Sequence, residues 1–253
     1  GSGSPIMSYA GSCGNQNIQF DNDEYYHVGS LEQFIGYSRE GNGRTCATPE
    51  TTDNHIPSIT LQYPNGFSIP VNTPFQLTAT ATDIDADNLT YCWEQYDLGP
   101  EADVGSPVLN GPSFRSFPPE VSSTRVFPRL TQILANQTPA DETLPTYKRT
   151  LTFRCTVRDN HPGATGVEWA EMNFLATDQA GPFLVTYPNV DTIRWRAGEF
   201  REIPWAVANP DKAPVNCQKV NILLSVDGGL NFNYTPASGV ANTGAASITV
   251  PNI

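Results

Sequence analysis

Two segments of this chain alternate apolar and polar residues with a period of two. Apolar side chains occupy every second position in residues 75–81 and again in residues 151–157. Successive side chains of an extended strand point to opposite faces, so each segment predicts a strand with one buried face. The full set of predicted strands is 59–63, 75–82, 89–96, 149–159, 167–176, 183–187, 192–196, 203–207, 220–226, 232–235 and 248–250. Such short strands indicate a mainly β chain built from sandwiches.

The composition fits short strands joined by many turns. There are 20 glycines and 22 prolines among 253 residues, and only 16% of the residues are charged. These proportions argue against a helical bundle, a coiled coil and a disordered chain. The formal net charge is −12 and Lys and Arg form no cluster, which argues against nucleic acid and anionic membranes as partners. No apolar run reaches the roughly 18–20 residues of a membrane-spanning helix.

The chain divides into three zones. Residues 1–50 contain the predicted helix, and residues 55–178 predict an Ig-like or cadherin-like β-sandwich. Residues 181–253 predict a second Ig-like module. Six strands are predicted there where seven are usual, so we expect this second module to lack its final strands.

The predicted helix covers residues 30–37. Ser30 and Gln33 have the spacing of a capping box, which predicts Ser30 as the N-cap. Leu31, Phe34 and Ile35 then form an apolar stripe along one face.

A stretch at residues 6–14 reads IMSYAGSCG. It resembles the Met-turn of the metzincin zinc proteases, specifically of the reprolysin-like (adamalysin) group, and the helix and Cys46 resemble the close of that catalytic domain. In that family the Met-turn forms a hydrophobic floor beneath the zinc. The resemblance therefore implies that Met7 is the floor residue, packed in a tight turn against the predicted helix. It also implies that the wall of the primed-side substrate pocket contains Tyr9, Ala10, Gly11 and Ser12.

The family's zinc motif, HExxHxxGxxH, is absent from the chain. No two of the histidines His27, His55 and His161 are four residues apart, and none has a neighbouring Glu. A catalytic zinc needs three protein ligands, an open position and a general base. The chain thus resembles the C-terminal part of a metzincin, beginning after its zinc helix, and we expect it to be inactive alone. The resemblance implies a zinc cofactor held by an upstream catalytic segment of the same protein, with a peptide or protein as substrate.

The resemblance extends over most of the chain. Residues 89–95 (LTYCWEQ) and 153–160 (FRCTVRDN) resemble the module that follows the catalytic domain in secreted proteases of Bacteroidetes-type bacteria. Residues 213–217 (APVNC) and 224–229 (LSVDGG) resemble the next module. These matches imply a secreted or cell-surface protein whose modules support the active-site floor and position substrate or the cell surface. The alternative is a stand-alone extracellular adhesion or carbohydrate-binding sandwich with an accidental IMSY sequence.

The chain has five cysteines, an odd number. Cys13 and Cys46 flank the metzincin-like helix, and we expect them to form a disulfide. Its loop of about 34 residues would contribute about 3–4 kcal/mol. Two alternatives stay open for Cys92 and Cys155, which are predicted on neighbouring strands: a second disulfide, or thiols that face opposite ways if the tryptophan beside Cys92 points inward. Cys217 is then left unpaired.

Asp83, Asp85 and Asp87 place three carboxylates just before a predicted strand. Oxygen ligands at this density suit calcium at the end of a cadherin-like sandwich, where Asp159 would be supplied by another strand end. An EF-hand does not fit, because the sixth loop position is Asn88 rather than Gly and the flanks are strands. The alternative is an Asp-rich turn without metal, since Asp and Asn side chains bond their own backbone.

Overall fold

The structure is a computed structural model that describes residues 3–253. It is mainly β with a small helical part, as the sequence predicts. The helices are α1 (Val28–Arg39) and α2 (Leu130–Leu134), and short 3₁₀ turns lie at Gly14–Gln16 and Asn42–Thr45. The strands in the described residues are β1 (Ser58–Leu61), β2 (Ser68–Pro70), β3 (Phe75–Thr82), β4 (Thr90–Gln95), β5 (Thr124–Phe127), β6 (Arg149–Arg158), β7 (Val167–Thr177), β8 (Leu184–Val185), β9 (Phe200–Ala206), β10 (Lys219–Leu224), β11 (Tyr234–Ala241) and β12 (Ala245–Thr249). Neither α1 nor α2 has the length and apolar character needed to cross a membrane.

The first seven strands form two sheets that share one core. One sheet has the order β1-β3-β5 and the other the order β2-β7-β6-β4. All neighbours are antiparallel except β2 and β7, which pair in parallel. This division of the strands between two layers is that of an Ig-like sandwich.

The core between the two sheets is aromatic. Phe127, Phe153 and Phe174 are fully buried, and Phe75 stacks on Phe127 with ring centroids 5.0 Å apart. The alternation predicted for β6 is confirmed, because its apolar side chains are all buried at Leu151, Phe153, Cys155 and Val157. Burying several phenyl rings in this way contributes about 1.5–3 kcal/mol for each side chain.

Part of the opposite face of β6 is also buried, which the sequence does not predict. Thr156 has no exposed surface, and Arg154 is buried beside it. On the neighbouring strand β4, Cys92 and Glu94 are buried as well. One side of a sandwich sheet normally faces solvent. Here helix α1 contacts this outer face, through Val28 on Glu94 and Glu32 on Arg154.

Helix α1 begins two residues earlier than predicted. The N-cap is His27, whose Nδ1 accepts a hydrogen bond from the Gly29 N–H at 3.1 Å, so the prediction of Ser30 as the cap is wrong. The helix starts early because the sandwich supplies an acceptor for the Val28 N–H, as described below. A carboxylate there satisfies one of the donors that a helix leaves open at its start.

Residues after Gly181 form the sheet β12-β9-β8 and the hairpin β10-β11. The strand predicted at 192–196 is wrong: these residues form turns and irregular backbone, and most of them are exposed. The strand predicted at 232–235 instead starts at Tyr234 and runs to Ala241. The sequence also misses β2, β5 and α2, which are short and lie in segments rich in proline and serine.

All five cysteines are free thiols in the structure, so the disulfide predicted between Cys13 and Cys46 is not formed. Cys13 and Cys46 instead contact carbonyls four residues upstream, those of Tyr9 and Asn42. On the sandwich, Cys155 lies opposite Trp93 in the register and Cys92 lies opposite Thr156. Cys92 and Cys155 therefore occupy opposite faces of the sheet, and the second of the two alternatives holds.

Candidate functional site

Met7 lies in a tight turn that is hydrogen-bonded to residues 22–25, and Pro5 and Asp23 form a parallel bridge beside it. The Ser8 N–H donates to the Pro5 carbonyl at 2.9 Å, and the Ile6 N–H donates to the Tyr25 carbonyl at 3.0 Å. The Asn22 side-chain amide donates to the Pro5 carbonyl at 2.7 Å. The turn is therefore held by backbone bonds and by one asparagine.

The Met7 side chain points into solvent. It is 62% exposed, so the predicted packing of Met7 against the helix is not observed. In α1 the fully buried residue is Val28, whose backbone N–H bonds Glu94 of the sandwich. The turn itself is as predicted, whereas its methionine is available to contact a partner.

The residues predicted as the pocket wall form a second turn. The Ser12 N–H donates to the Tyr9 carbonyl at 3.1 Å, and the Gly11 N–H donates to the Gln19 carbonyl at 3.1 Å. Gly11 has φ of +76°, and a Cβ there would lie 2.3 Å from the Phe20 carbonyl oxygen, so glycine is required. Tyr9 is 71% exposed, Gly11 and Ser12 are exposed, and Ala10 is half-buried. The predicted wall residues thus share one accessible turn.

A buried polar network joins residues 4–28 to the sandwich. Glu94 is fully buried, and its Oε2 accepts the Val28 N–H at 2.8 Å. Its Oε1 accepts the Ser116 hydroxyl at 2.6 Å. Ser4 donates to the Ser116 carbonyl at 2.9 Å, and burial raises the pKa of the adjoining Tyr25 hydroxyl. Removing one member of such a network leaves buried polar groups unpaired.

A second contact holds the outer side of α1. The Arg154 guanidinium lies between Glu32 of α1 at 3.0 Å and Glu171 of β7 at 2.9 Å, and it stacks on the Tyr96 ring. Tyr96 also donates its hydroxyl to Glu32. The Tyr96 hydroxyl and the Arg154 guanidinium lower the pKa of Glu32. Helix α1 is therefore attached at its first turn and along one side.

A cleft of about 1080 Å³ lies between residues 13–18 and the long loop of the sandwich, residues 96–123 between β4 and β5. Gln16 crosses it, because its amide donates to Asp103 at 2.8 Å and its oxygen accepts the Val104 N–H at 2.8 Å. The cleft is lined by Cys13, Gln16 and Ile18, by residues 99–105, 107 and 111–115, and by Ala140, Asp141 and Thr143. Cys13 directly follows the turn of Tyr9, so the cleft continues the accessible surface of that turn.

Asp83, Asp85 and Asp87 come together at the end of β3. Each offers an oxygen that lies within 4.8 Å of the others. Asp83 Oδ1 accepts the backbone N–H groups of Asp85 at 2.8 Å and of Asp87 at 3.3 Å, which is the self-bonded turn of the alternative reading. Asp83 Oδ2, by contrast, is buried without a hydrogen-bond partner. A buried carboxylate oxygen without a hydrogen-bond donor is a suitable ligand for a cation. Calcium binding at this cluster stays a prediction.

Histidines already contact two of these carboxylates. His55 bonds Asp85, and His161 Nδ1 lies 2.9 Å from Asp87. The bond to Asp87 raises the pKa of His161, and the His55 N–H lowers the pKa of Asp85. A bound cation would have to compete with both histidines when they are protonated.

Asp159, the fourth predicted ligand, is placed beside the cluster but is not grouped with it. It is buried, and its oxygens accept from the Asn54 amide at 2.8 Å and from the N–H groups of His161 and Gly166. These bonds occupy its lone pairs, so the structure gives Asp159 the role of fixing the loop after β6.

The sequence misses the residues that make the attachment. Glu94 is a single acid that directly follows the apolar residues 91–93 within a predicted strand, and that position was the available signal. Gln16 and Arg154 carry no comparable signal, since their partners are 87 and 17 or more residues away along the chain. Neither a scan against models of protein families nor a search of curated proteins finds a match for this chain.

Proposed function

We propose that this chain is the C-terminal, non-catalytic part of a secreted zinc metalloendopeptidase. The sandwich holds the active-site floor, and the modules position substrate or the cell surface. The observation that supports the proposal most directly is the buried attachment of the Met-turn-like zone to the sandwich through Glu94, Ser116 and Val28. A fixed floor is what a catalytic centre built on this turn would require.

Exposed apolar side chains support a partner for this zone. Within residues 6–20, the large apolar side chains exposed to solvent are Ile6, Met7, Tyr9 and Phe20, with Phe20 80% exposed. Apolar groups concentrated in one short segment favour a contact surface. In the proposal, the upstream catalytic segment of the same protein covers this surface.

The roles follow from the resemblance and the exposed turn. Zinc, bound by ligands outside this chain, would supply an activated water for peptide hydrolysis. Met7 would pack beneath the zinc ligands, and the turn of Tyr9 to Ser12 would line the pocket beside the scissile bond. This chain contributes shape and support to that reaction, and the peptide is its substrate.

The carbohydrate-binding alternative has less support. Trp205 is buried, and its indole N–H donates to Asn242 at 2.8 Å, so it offers no open face for a sugar. Trp195 is half-buried beside the Tyr187 ring. Sugar-binding sandwiches need aromatic faces open to solvent.

The test joins this chain to the segment encoded directly upstream of it. We expect the joined protein to cleave casein in a zinc-dependent manner, whereas this chain alone is inactive with or without zinc. Met7→Ser should lower the activity of the joined protein by about tenfold or more, since it removes the apolar floor. Val121→Ser, at an exposed apolar residue of the sandwich, is the matched control and should leave activity unchanged. An upstream segment without HExxHxxGxxH, or a natural start codon at this chain's beginning, would refute the proposal.

A further inference from the structure

We infer that the cleft between the Met-turn-like zone and the long sandwich loop binds a lysine or arginine side chain of a peptide. The inference deepens the proposed function, on which it rests for the identity of the peptide as a substrate. Binding itself is a property of this chain and is testable without the catalytic segment.

The charges of the cleft favour a cation. Its lining contains the carboxylates of Glu101, Asp103 and Asp141 and one cation, Arg115. Arg115 pairs with Asp141 at 3.3 Å and with Asp23 at 3.6 Å, and Asp141 also pairs with Arg129 at 3.3 Å. Among the described residues Glu101 and Asp103 have no ion pair, so the cleft presents two uncompensated negative charges. A cleft lined by one sign of charge concentrates ligands of the opposite sign.

The size and construction of the cleft favour a peptide. A volume of about 1080 Å³ is just above the usual range of roughly 300–1,000 Å³ for small-molecule pockets. Pro100, Pro107 and Pro112 are among the lining residues. Gly99 packs against Gly111 so closely that a Cβ on Gly99 would lie 2.2 Å from the Gly111 nitrogen. The two ends of residues 99–111 are therefore in close contact, and this part of the loop presents a stable wall to a ligand.

A bare metal ion is a poorer occupant. Within residues 3–253, the group of three ligand-type side chains close enough to share an ion is the Asp83 cluster, and Glu101 and Asp103 belong to no such group. Two carboxylates on a wide cleft suit an extended cation on a flexible stem. The cleft also starts at Cys13, next to the turn that the proposed function assigns to the substrate pocket.

The test measures binding of a fluorescent octapeptide with a central lysine to this chain at low salt. The comparison peptide carries norleucine in place of lysine. We expect the lysine peptide to bind about tenfold more tightly, and we expect the advantage to shrink as salt rises. The double variant Glu101→Gln/Asp103→Asn should lose that advantage, because its amides keep the shape and can still accept the Gln16 bond. Glu50→Gln/Asp178→Asn, at exposed positions, is the matched control and should bind as the unmodified chain does.

Three results would overturn the inference: equal binding of the two peptides, unchanged binding by the double variant, or displacement of the peptide by a simple diamine at the same concentration as by the lysine peptide. Equal displacement by the diamine would mean that the cleft binds any small cation and does not recognise the lysine as part of a peptide. Failure of the zinc-protease test with retained lysine selectivity would refute the proposed function and leave the cleft assignment standing.

Discussion

The Glu94 carboxylate accepts the backbone N–H of Val28 at 2.8 Å, and neither residue has any exposed surface. The bond joins the penultimate residue of β4 to the first turn of α1. A carboxylate is favoured there because the helix start carries unpaired N–H groups and the positive end of the helix dipole. One side chain thus caps the start of α1 and attaches that helix to the sandwich.

Replacing Glu94 should loosen this attachment. Glu94→Ala leaves the Val28 N–H and the Ser116 hydroxyl without an acceptor, so we expect the free energy of unfolding to fall by about 2–4 kcal/mol. Glu94→Gln keeps one acceptor oxygen and should lower the free energy of unfolding by about half as much. Urea unfolding gives the magnitude, and amide exchange in α1 gives the location. Glu50→Ala is the control at an exposed carboxylate, and unchanged exchange in α1 of Glu94→Ala would contradict the assignment.

The outer attachment of α1 should depend on pH through Glu32. Hydrogen bonds from Tyr96 and Arg154 lower the pKa of Glu32 in the folded protein. Stabilisation from a depressed carboxyl pKa is fully present above the unfolded value of about 4.3 and is lost as pH falls through the folded value. We therefore expect α1 amides to lose protection only in acid.

Glu32→Gln provides the check on that dependence. The variant should weaken α1 at neutral pH and remove the acid-dependent part of the change. Glu40→Gln, at the exposed C-cap of the same helix, is the matched control. If the acid dependence of α1 survives Glu32→Gln, another group is responsible.

The cysteines should differ sharply in reactivity. Burial raises the pKa of the Cys92 and Cys155 thiols, whereas Cys46 is exposed. We expect Cys46 to react with a thiol reagent in the folded protein, and Cys92 and Cys155 to react only after unfolding. Mass mapping of labelled peptides identifies each site. Recovery of a Cys13–Cys46 disulfide by non-reducing mapping would contradict the free thiols of the structure.

Calcium should raise the melting temperature if it binds the Asp83 cluster. Ligands that bind only the folded form stabilise it by mass action. Asp83→Asn removes the charge of the carboxylate with the buried unpartnered oxygen, so we expect it to reduce the calcium-dependent shift. Asp178→Asn is the control at an exposed site. Identical melting curves in excess chelator and in millimolar calcium would leave the self-bonded turn as the correct reading.

Local patterns predicted the long elements well. The period of two in residues 75–82 and 149–158 follows from side-chain geometry within one strand, and both segments form strands whose predicted apolar face lies toward the core. In β6, however, Arg154 and Thr156 on the other face are buried too. The same local reasoning failed at 192–196, where the residues form no ladder. A strand exists only when a neighbour accepts its backbone bonds, and a single segment does not specify that neighbour.

By itself, the sequence determined the mainly β class, the apolar faces of the long strands, the turn that contains Met7 and the crowding of Asp83, Asp85 and Asp87. Each of these depends on residues close together in the chain. Only the tertiary structure decided the start of α1, the opposite facing of Cys92 and Cys155, and the cleft crossed by Gln16. These features depend on pairs such as Val28 and Glu94, which are 66 residues apart in the chain. Contacts of that kind form only when the whole chain has packed, since their energy comes from groups that are not neighbours in sequence.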